Sequence, residues 1–359
     1  METVTSMPNA LRATPTRRLF LTSGSSAAGF LKQKFSASGG GTQGWFPSPG
    51  HQDRAIEIQT RLIRDPVPET DDYNLFFEER RAHRAEDPRQ CGSWLPDDPS
   101  VFSDFAAIAT CWPDLDRAEF WVDPDPSAQL NLLMFLNWVS YHGMDTGKLY
   151  LVHGEKRWGE MDATAPMLIV PEAQSADPAL LALAQTAWRA FRSSPSRWLD
   201  LLDDDTSQLP YLRRAIVVLL EELPDSITGL GRSEIEVLSL IAEGDVTPTQ
   251  IQMAFARREP LTLEYWEVGK LLDTLADLAA PAILGLEGGP FDMASHDDES
   301  RMVQYDESGL RLSAFGEALL EGTTDFGHHG GINRWWGGIH LGEECWRWDA
   351  QRQTVIQPT

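Results

Sequence analysis

Two segments of the chain combine a short apolar run, a turn of small or acidic residues and a helical pattern, and they constrain the fold most. The first is 19–22, followed by SGSSAAG and a helical pattern to about Phe35. The second is 118–122, apolar except for Glu119, followed by DPDP and an apolar helical pattern over 127–142, before another predicted strand at 148–152. Strand–helix–strand alternation is typical of a mainly parallel sheet covered by helices. The sequence therefore predicts an α/β, Rossmann-like domain over residues 17–172.

The pattern changes after Pro171, where helical spacing dominates. Three of the predicted helices, at 233–243, 247–257 and 265–279, precede two short apolar runs that could pair as strands, at 282–286 and 309–312. Three helices and a hairpin are the outline of a winged helix. We therefore expect a helical domain over 173–359, with a winged-helix-like unit at 233–320 and a tryptophan-rich C-terminal hairpin at 334–356.

Several local expectations complete this outline. Residues 1–16 lack periodicity and are expected to be disordered. The remaining predictions are a strand at 43–46, partial helical spacing at 56–63, and helices at 74–86 and 101–111.

The charge of the chain limits its partners. The formal net charge is −24, from 54 acidic and 30 basic residues, and no basic cluster is longer than a pair. Such a field repels phosphate backbones, so nucleic acid is an unfavourable partner. No apolar run reaches the roughly 18 residues of a membrane helix. The classes of partner that remain are a small-molecule ligand and another protein.

The cysteines and the N-terminal sequence are the two features that indicate a cellular compartment. Three cysteines, widely spaced and without a CxxC motif, favour free thiols in a reducing compartment, hence a cytoplasmic protein. The stretch TRRLFLTSGSSAAGFL at 16–31 also resembles a twin-arginine export signal. The segment after it is rich in Ser and Gly, is interrupted early by Lys32 and Lys34, and offers no clean cleavage site, so a buried first strand is the preferred interpretation.

The first candidate site is the turn SGSSAAG at 23–29, between a predicted strand and a helix. Free N–H groups at a helix start favour an anion such as phosphate, and small residues let a ligand approach the backbone. The candidate anion-binding residues are Ser25, Ser26, Ala27 and Gly29. The alternative is structural: a serine caps the helix, while the small residues let it pack closely on the sheet.

The second candidate site is WVDPDPSAQL at 121–130. In open α/β sheets ligands bind beyond the carboxyl ends of the strands, and Asp123 and Asp125 there could hold Mg²⁺, with Gln129 on the same rim. Asp123 is also a candidate catalytic residue. Asp125 has an alternative role as an ordinary N-cap, since Pro126 suits the first helical position. The two candidate sites converge only if their strands are neighbours, which the sequence does not decide.

The third candidate is an aromatic and cationic cluster near the C-terminus. It could form an aromatic cage or a base-stacking surface, but the preferred interpretation is a hairpin whose indoles fix the terminal segment to the helical domain. His340 is a weak candidate for a general base, because a lone histidine on a strand is more often structural. The cluster comprises Arg334, Trp335, Trp336, Trp346, Arg347 and Trp348.

Several segments in order resemble the bacterial family known as domain of unknown function 1835. They include SSAAGFLK at 25–32, WVDPDPSAQLNLL at 121–133, AWRAFRSSP at 187–195, GLGRSEIEVL at 229–238 and RWWGGIHL at 334–341. The resemblance implies an α/β N-terminal domain and a helical C-terminal part, without an agreed activity. Ser25 stands where the family commonly has Asp, and Val218–Leu219 where it has an Arg–His pair. Chemistry that depends on those groups would be absent here.

Two functions follow as hypotheses. The first is binding of a small molecule or nucleotide that carries phosphate, with metal-assisted catalysis as an extension. The second is regulation or protein interaction through the winged-helix-like unit. DNA binding by that unit is disfavoured, because its third helix carries Glu267, Asp273 and Asp277 against a single Lys270.

Overall fold

The computed structural model describes residues 18–37, 55–86, 99–164, 170–244, 246–342 and 345–358. The predicted strand at 43–46, the N-terminal stretch 1–16 and Cys91 lie outside the described residues.

A five-stranded sheet organises the N-terminal half. Its strands are β1 (Arg18–Thr22), β2 (Ala55–Glu57), β3 (Arg117–Val122), β4 (Leu149–His153) and β5 (Gln174–Ser175), in the spatial order β2-β1-β3-β4-β5. The first four are parallel to their neighbours, and β5 pairs antiparallel with β4. The mainly parallel sheet is confirmed. The helical spacing at 56–63 was misleading, because this stretch begins in β2.

Both faces of this sheet are covered, which explains the almost continuous apolar runs of β1 and β3. Side chains alternate across a strand. Leu21 and Phe120 pack into the larger hydrophobic core, whereas Phe20 and Trp121 pack with Trp158 into a smaller one. The loops at the carboxyl ends of the strands are thereby held by buried residues on both sides.

Thirteen α-helices are assigned within the described residues. Those at 73–86, 99–111 and 126–141 confirm the predicted helices of the N-terminal half. The helices are α1 (Ser25–Ala37), α2 (Tyr73–Glu86), α3 (Pro99–Cys111), α4 (Pro126–Tyr141), α5 (Pro178–Ser193), α6 (Pro195–Asp200), α7 (Leu212–Glu221), α8 (Arg232–Ala242), α9 (Pro248–Ala256), α10 (Tyr265–Ala276), α11 (Met293–His296), α12 (Glu299–Asp306) and α13 (Ala314–Leu320).

Short antiparallel strand pairs complete the C-terminal half. Strands β6 (Ile283–Leu284) and β7 (Arg311–Leu312) pair as expected, but α11 and α12 lie between them where an acidic loop was predicted. The single predicted hairpin at 334–356 is instead two hairpins. These are β8 (Arg334–Trp336) with β9 (Ile339–Leu341), and β10 (Arg347–Asp349) with β11 (Thr354–Ile356).

The core runs through both halves of the chain. One cluster of buried hydrophobic residues extends from Leu19 in β1 to Trp348 in β10, and β5 joins the sheet beyond residue 172. The predicted boundary at 172–173 therefore does not separate two independent cores. No helix in the described part of the chain is long and apolar enough to cross a membrane.

Candidate ligand site at the carboxyl edge of the sheet

Strands β1 and β3 are neighbours and parallel, with Thr22 opposite Trp121. The strand order reverses between them, since β2 lies on one side of β1 and β4 on the far side of β3. Open α/β sheets bind ligands in the crevice outside the strand ends at such a point. The pairing therefore brings the two predicted sites, 23–29 and 123–129, to the same edge of the sheet.

A short 3₁₀ turn, Trp158–Glu160, lies against both sites. The backbone N–H of Trp158 donates a hydrogen bond of 2.7 Å to Asp123 Oδ1. A Cβ added to Gly159 would lie only 2.4 Å from the Cβ of Ser26, so this glycine lets the turn approach the first turn of α1. Ser26 and Asp123 thus contact the same 3₁₀ turn, although they lie 97 residues apart in the chain.

Asp125 holds this edge to the helical half of the chain. It stands at the N-cap position of α4, yet its side chain makes no capping hydrogen bond. Its Oδ1 accepts a hydrogen bond of 2.8 Å from the backbone N–H of Leu261, and Oδ2 lies 3.3 Å from Nε of Arg157. The interpretation of Asp125 as an ordinary cap was therefore wrong, because these tertiary partners engage both of its oxygens.

Burial changes the acidity of both carboxyl groups. It raises the pKa of Asp123 to about 7, against the opposing hydrogen bond from the N–H of Trp158. It raises the pKa of Asp125 to about 6, against the opposing effects of Leu261 N–H and Arg157. Near neutral pH Asp123 can therefore act as a hydrogen-bond donor or acceptor, as functional carboxyls often do.

The acidic pair does not by itself form the predicted metal site. Among the described residues, no group of three or more His, Cys, Asp or Glu side chains is placed to hold a metal ion. Asp125 has both oxygens engaged, and one oxygen of Asp123 is occupied by Trp158. Gln129, predicted on the ligand rim, is only 2% exposed and donates its side-chain amide to the carbonyl of Asp123. Gln129 therefore supports the loop from within.

Several buried polar atoms near this edge have no hydrogen-bond partner within the described part of the chain. They are Ser23 Oγ, Thr60 Oγ1, Thr262 Oγ1 and Trp158 Nε1. Buried polar groups are ordinarily hydrogen-bonded, so each one requires a water molecule, a ligand or a strained arrangement. The three hydroxyls could donate to or accept from a polar ligand, and the indole N–H could donate to one.

The backbone explains how these residues reach one edge. Ile58 N–H donates to the carbonyl of Thr22, so the chain after β2 passes beside the end of β1. Both backbone polar groups of Thr60 are bonded to the side-chain amide of Asn131 in α4. Asp125 binds Leu261, which immediately precedes Thr262. We call the region defined by Ser23, Ser26, Thr60, Asp123 and Thr262 the edge crevice.

The remaining residues of the first predicted site differ in their surroundings. Helix α1 begins at Ser25, and both Ser25 and Ser26 are exposed in its first turn. Ala27 is buried in the smaller hydrophobic core. Gly29 is exposed, and an added Cβ there would meet nothing within 4 Å. Its predicted role in close packing on the sheet was therefore wrong.

The C-terminal cluster is largely structural. Trp336 is fully buried, contacts Phe191 and donates an indole hydrogen bond of 2.7 Å to the carbonyl of Leu219. Trp348 is buried in the larger hydrophobic core, and the partly buried Trp346 packs against that core. Trp336 thus joins the β8–β9 hairpin to α7, as the preferred interpretation predicted.

The charged members and His340 fit the same account. Arg347 pairs with Asp325, and Arg334 lies 3.4 Å from Glu234. Trp335 is only partly buried and its ring contacts that of His340, which lies in an exposed position of the β8–β9 hairpin. His340 lies in β9, opposite Trp335, whereas Asp123 follows β3 of the five-stranded sheet.

Sequence reasoning missed the loop after β4 and the segment around Thr262. The loop had a recognisable signal, because GEKRWGE directly follows a predicted parallel strand and places two glycines around Arg157 and Trp158. Arg157 also donates hydrogen bonds to the carbonyls of Ala256 and Arg258, and these bonds join the loop after β4 to the helical half of the chain. Thr262 had no such signal, since its neighbours in space lie far away in the chain.

Comparison of the sequence with models of known protein families gives no match. Comparison with curated proteins gives no match either.

Proposed function

We propose that the chain binds a small polar molecule carrying phosphate and hydroxyl groups, such as a nucleotide or sugar phosphate, in the edge crevice. The observation that carries this proposal is the parallel pairing of β1 with β3, which places the first turn of α1 beside Asp123 at the reversal of strand order. Phosphate suits the N–H groups at the start of α1. Hydroxyl groups suit the unpartnered atoms of Ser23, Thr60 and Thr262.

Gly159 and Glu160 would have to move for a phosphate to contact the start of α1, because Gly159 lies against Ser26, while the Trp158 side chain would stay buried in the smaller hydrophobic core. The polar attachments beside them are the backbone hydrogen bond of Trp158 to Asp123 and the contacts of Arg157. Polar attachments of this kind can exchange for ligand contacts at small net cost, since each contributes only about 0.5–1.5 kcal/mol. The proposal is one of binding and includes no metal ion, since among the described residues no third His, Cys, Asp or Glu is placed to complete a metal site with the acidic pair.

Thermal unfolding in the presence of a panel of nucleotides and sugar phosphates tests the proposal. A ligand that binds the folded state raises the unfolding temperature. Alanine at Ser26 or Asp123 should abolish the shift given by the active compound. Alanine at Ser207, an exposed serine in a loop of the helical half, is the matched control and should retain it. An unchanged shift in both crevice variants would reject the edge crevice as the binding site.

The resemblance to the domain of unknown function 1835 and a cytoplasmic location form part of the same proposal. Cys111 and Cys345 are buried and free, as expected in a reducing compartment. N-terminal sequencing of the native protein tests the location, because twin-arginine export would remove the first strand or the segment before it.

The second candidate function is regulatory or protein-interacting, through residues 233–320. It is favoured by an isolated β-bridge between Val246 and Leu310. Val246 follows α8 and Leu310 precedes β7, so the bridge adds a third chain segment to the β6–β7 pair, as the first strand of a winged helix does. Recovery of one stoichiometric protein partner that is lost when the exposed Met253 and Val303 are replaced by aspartate, with no stabilising small molecule, would support this function over the first.

A further inference from the structure

A cavity lies far from the edge crevice in the chain and has a different chemistry. Its volume is about 670 Å³. Its walls come from the C-terminal half of α10, the segment 286–290 and the glycine-rich loop 330–333. We call it the α10 cavity. None of its lining residues belongs to the candidate sites predicted from the sequence. Lys270, Asp273 and Asp277 lie in the predicted third helix of the winged-helix-like unit, at 265–279.

Asp273 forms the polar wall of this cavity. The residue is only 8% exposed, and its Oδ2 accepts a hydrogen bond of 2.7 Å from the backbone N–H of Phe291. Its Oδ1 faces Gly289, where an added Cβ would lie 3.3 Å away, and accepts no hydrogen bond from the described residues. Burial raises the pKa of Asp273 to about 6. A charged donor in the cavity would compensate this carboxylate.

The charges around the cavity favour a cation. Asp277 also lines it, and Asp292 is close enough to interact electrostatically with Asp273. Two basic groups oppose these three carboxylates: Lys270 in the lining, and Arg301, whose guanidinium donates to the carbonyls of Gly288 and Gly289. The cavity lies at the C-terminal end of α10, where helix carbonyls contribute partial negative charge. Leu278, Leu286 and Pro290 provide apolar walls that suit methylene groups.

We propose that the α10 cavity binds a small organic cation, an aliphatic amine whose ammonium group donates to Oδ1 of Asp273. The methylene chain lies along Leu278 and Leu286. Gly289 leaves the approach to Oδ1 of Asp273 free of a side chain, so that the ammonium group of the ligand can reach the buried carboxylate. This site is independent of the edge crevice and does not rest on the phosphate-binding proposal.

Isothermal titration with cadaverine at physiological salt tests the proposal. The acidic chain attracts polyamines non-specifically, so the comparison is between two variants of equal charge. Asp273→Asn keeps an oxygen for Phe291 N–H and should weaken binding by about tenfold or more. Asp297→Asn, at an exposed position outside the cavity, should leave the affinity unchanged within about twofold. Equal affinity of the two variants would overturn the proposal.

Two further measurements separate a lost ligand contact from misfolding and define the ligand class. Thr274→Trp fills the exposed rim of the cavity without touching the charge, and should also abolish binding while the circular dichroism spectrum stays unchanged. Lysine, which differs from cadaverine by one carboxylate, should bind more weakly because that carboxylate would face Asp277. Tighter binding of lysine, or cadaverine binding retained by Thr274→Trp, would contradict the assignment.

Discussion

Asp123 accepts a hydrogen bond of 2.7 Å from the backbone N–H of Trp158, and this contact joins the loop after β3 to the loop after β4. The carboxyl group is mostly buried, and burial raises its pKa from 3.8 to about 7. The folded protein therefore binds a proton at Asp123 over a pH range in which the unfolded chain has lost it. The burial of this carboxyl group therefore makes the edge crevice sensitive to pH.

Asp123→Asn should remove that pH dependence. Because the folded pKa is raised, the contribution of Asp123 to stability is full below about pH 4 and is lost as the pH rises through 7. The asparagine oxygen can still accept from Trp158 N–H without a buried charge. At pH 8 the variant should be more stable than the parent by about 2–4 kcal/mol, and at pH 3.5 equally stable. Urea unfolding at both pH values measures the difference.

Asp204→Asn is the matched control, since Asp204 is exposed and the charge change is the same. It should alter the free energy of unfolding by less than about 0.5 kcal/mol at either pH. A destabilised Asp123→Asn protein at pH 8 would mean that the ionised carboxylate stabilises the loop.

Gly159→Ala and Gly29→Ala should have opposite effects on stability. The new methyl group at position 159 would lie 2.4 Å from the Cβ of Ser26, so the turn must shift, at a cost of about 1–3 kcal/mol. Position 29 is an open helical site, where alanine should stabilise by about 0.5–1 kcal/mol. Thermal and urea unfolding measure both. Equal stability of the two variants would show that the turn does not pack against α1 in solution.

The strands and helices of the N-terminal half were largely predictable because each buries a recognisable pattern. Residues 118–122 are apolar except for Glu119, which is buried and pairs with Arg18 and Arg117, since β3 is covered on both faces. Strand β2 was not recognised, because only Ala55–Glu57 pairs with β1 and the apolar residues continue beyond it into a loop. The spacing of apolar residues indicates which side chains are buried. In a loop that packs on the core, this spacing can resemble that of a helix.

The membership of the edge crevice could be predicted only in part. The two loops after β1 and β3 carry local signals, but their proximity depends on strand order, which local sequence does not encode. Thr262 reaches the crevice through the bond from Leu261 N–H to Asp125, a contact across 136 residues. The role of Asp125 was mistaken for the same reason: a local cap was expected where distant partners engage the carboxylate.

Glu234→Gln should destabilise the protein and reduce its sensitivity to acid. Arg64 bonds both Glu234 and Glu222 at 2.8–3.0 Å in a buried cluster. Burial alone would raise the pKa of Glu234, but Arg64 and Arg334 outweigh it and lower the pKa from 4.5 to about 2. The stabilisation is therefore present above pH 4.5 and is lost as the pH falls towards 2. At pH 7 the variant should lose about 3 kcal/mol.

Acid titration of the free energy of unfolding checks this expectation. Between pH 4.5 and 2.5 the parent should lose stability more steeply than Glu234→Gln. Glu243→Gln, at an exposed position just after the same helix, should follow the parent throughout. Parallel curves for parent and Glu234→Gln would show that the carboxylate is not held by the arginines.

Trp336→Phe should destabilise the protein, whereas Trp335→Phe should have little effect, because the two neighbouring indoles occupy different environments. Trp336 is fully buried and bonds the carbonyl of Leu219, so the smaller ring leaves a cavity and an unpaired carbonyl, costing about 2–4 kcal/mol. Trp335 is partly exposed, and its replacement should cost less than about 1 kcal/mol. Urea unfolding and near-ultraviolet circular dichroism measure both. A cage or stacking surface would make Trp335 the sensitive position for ligand binding, whereas a joint between hairpin and helix makes Trp336 the sensitive position for stability.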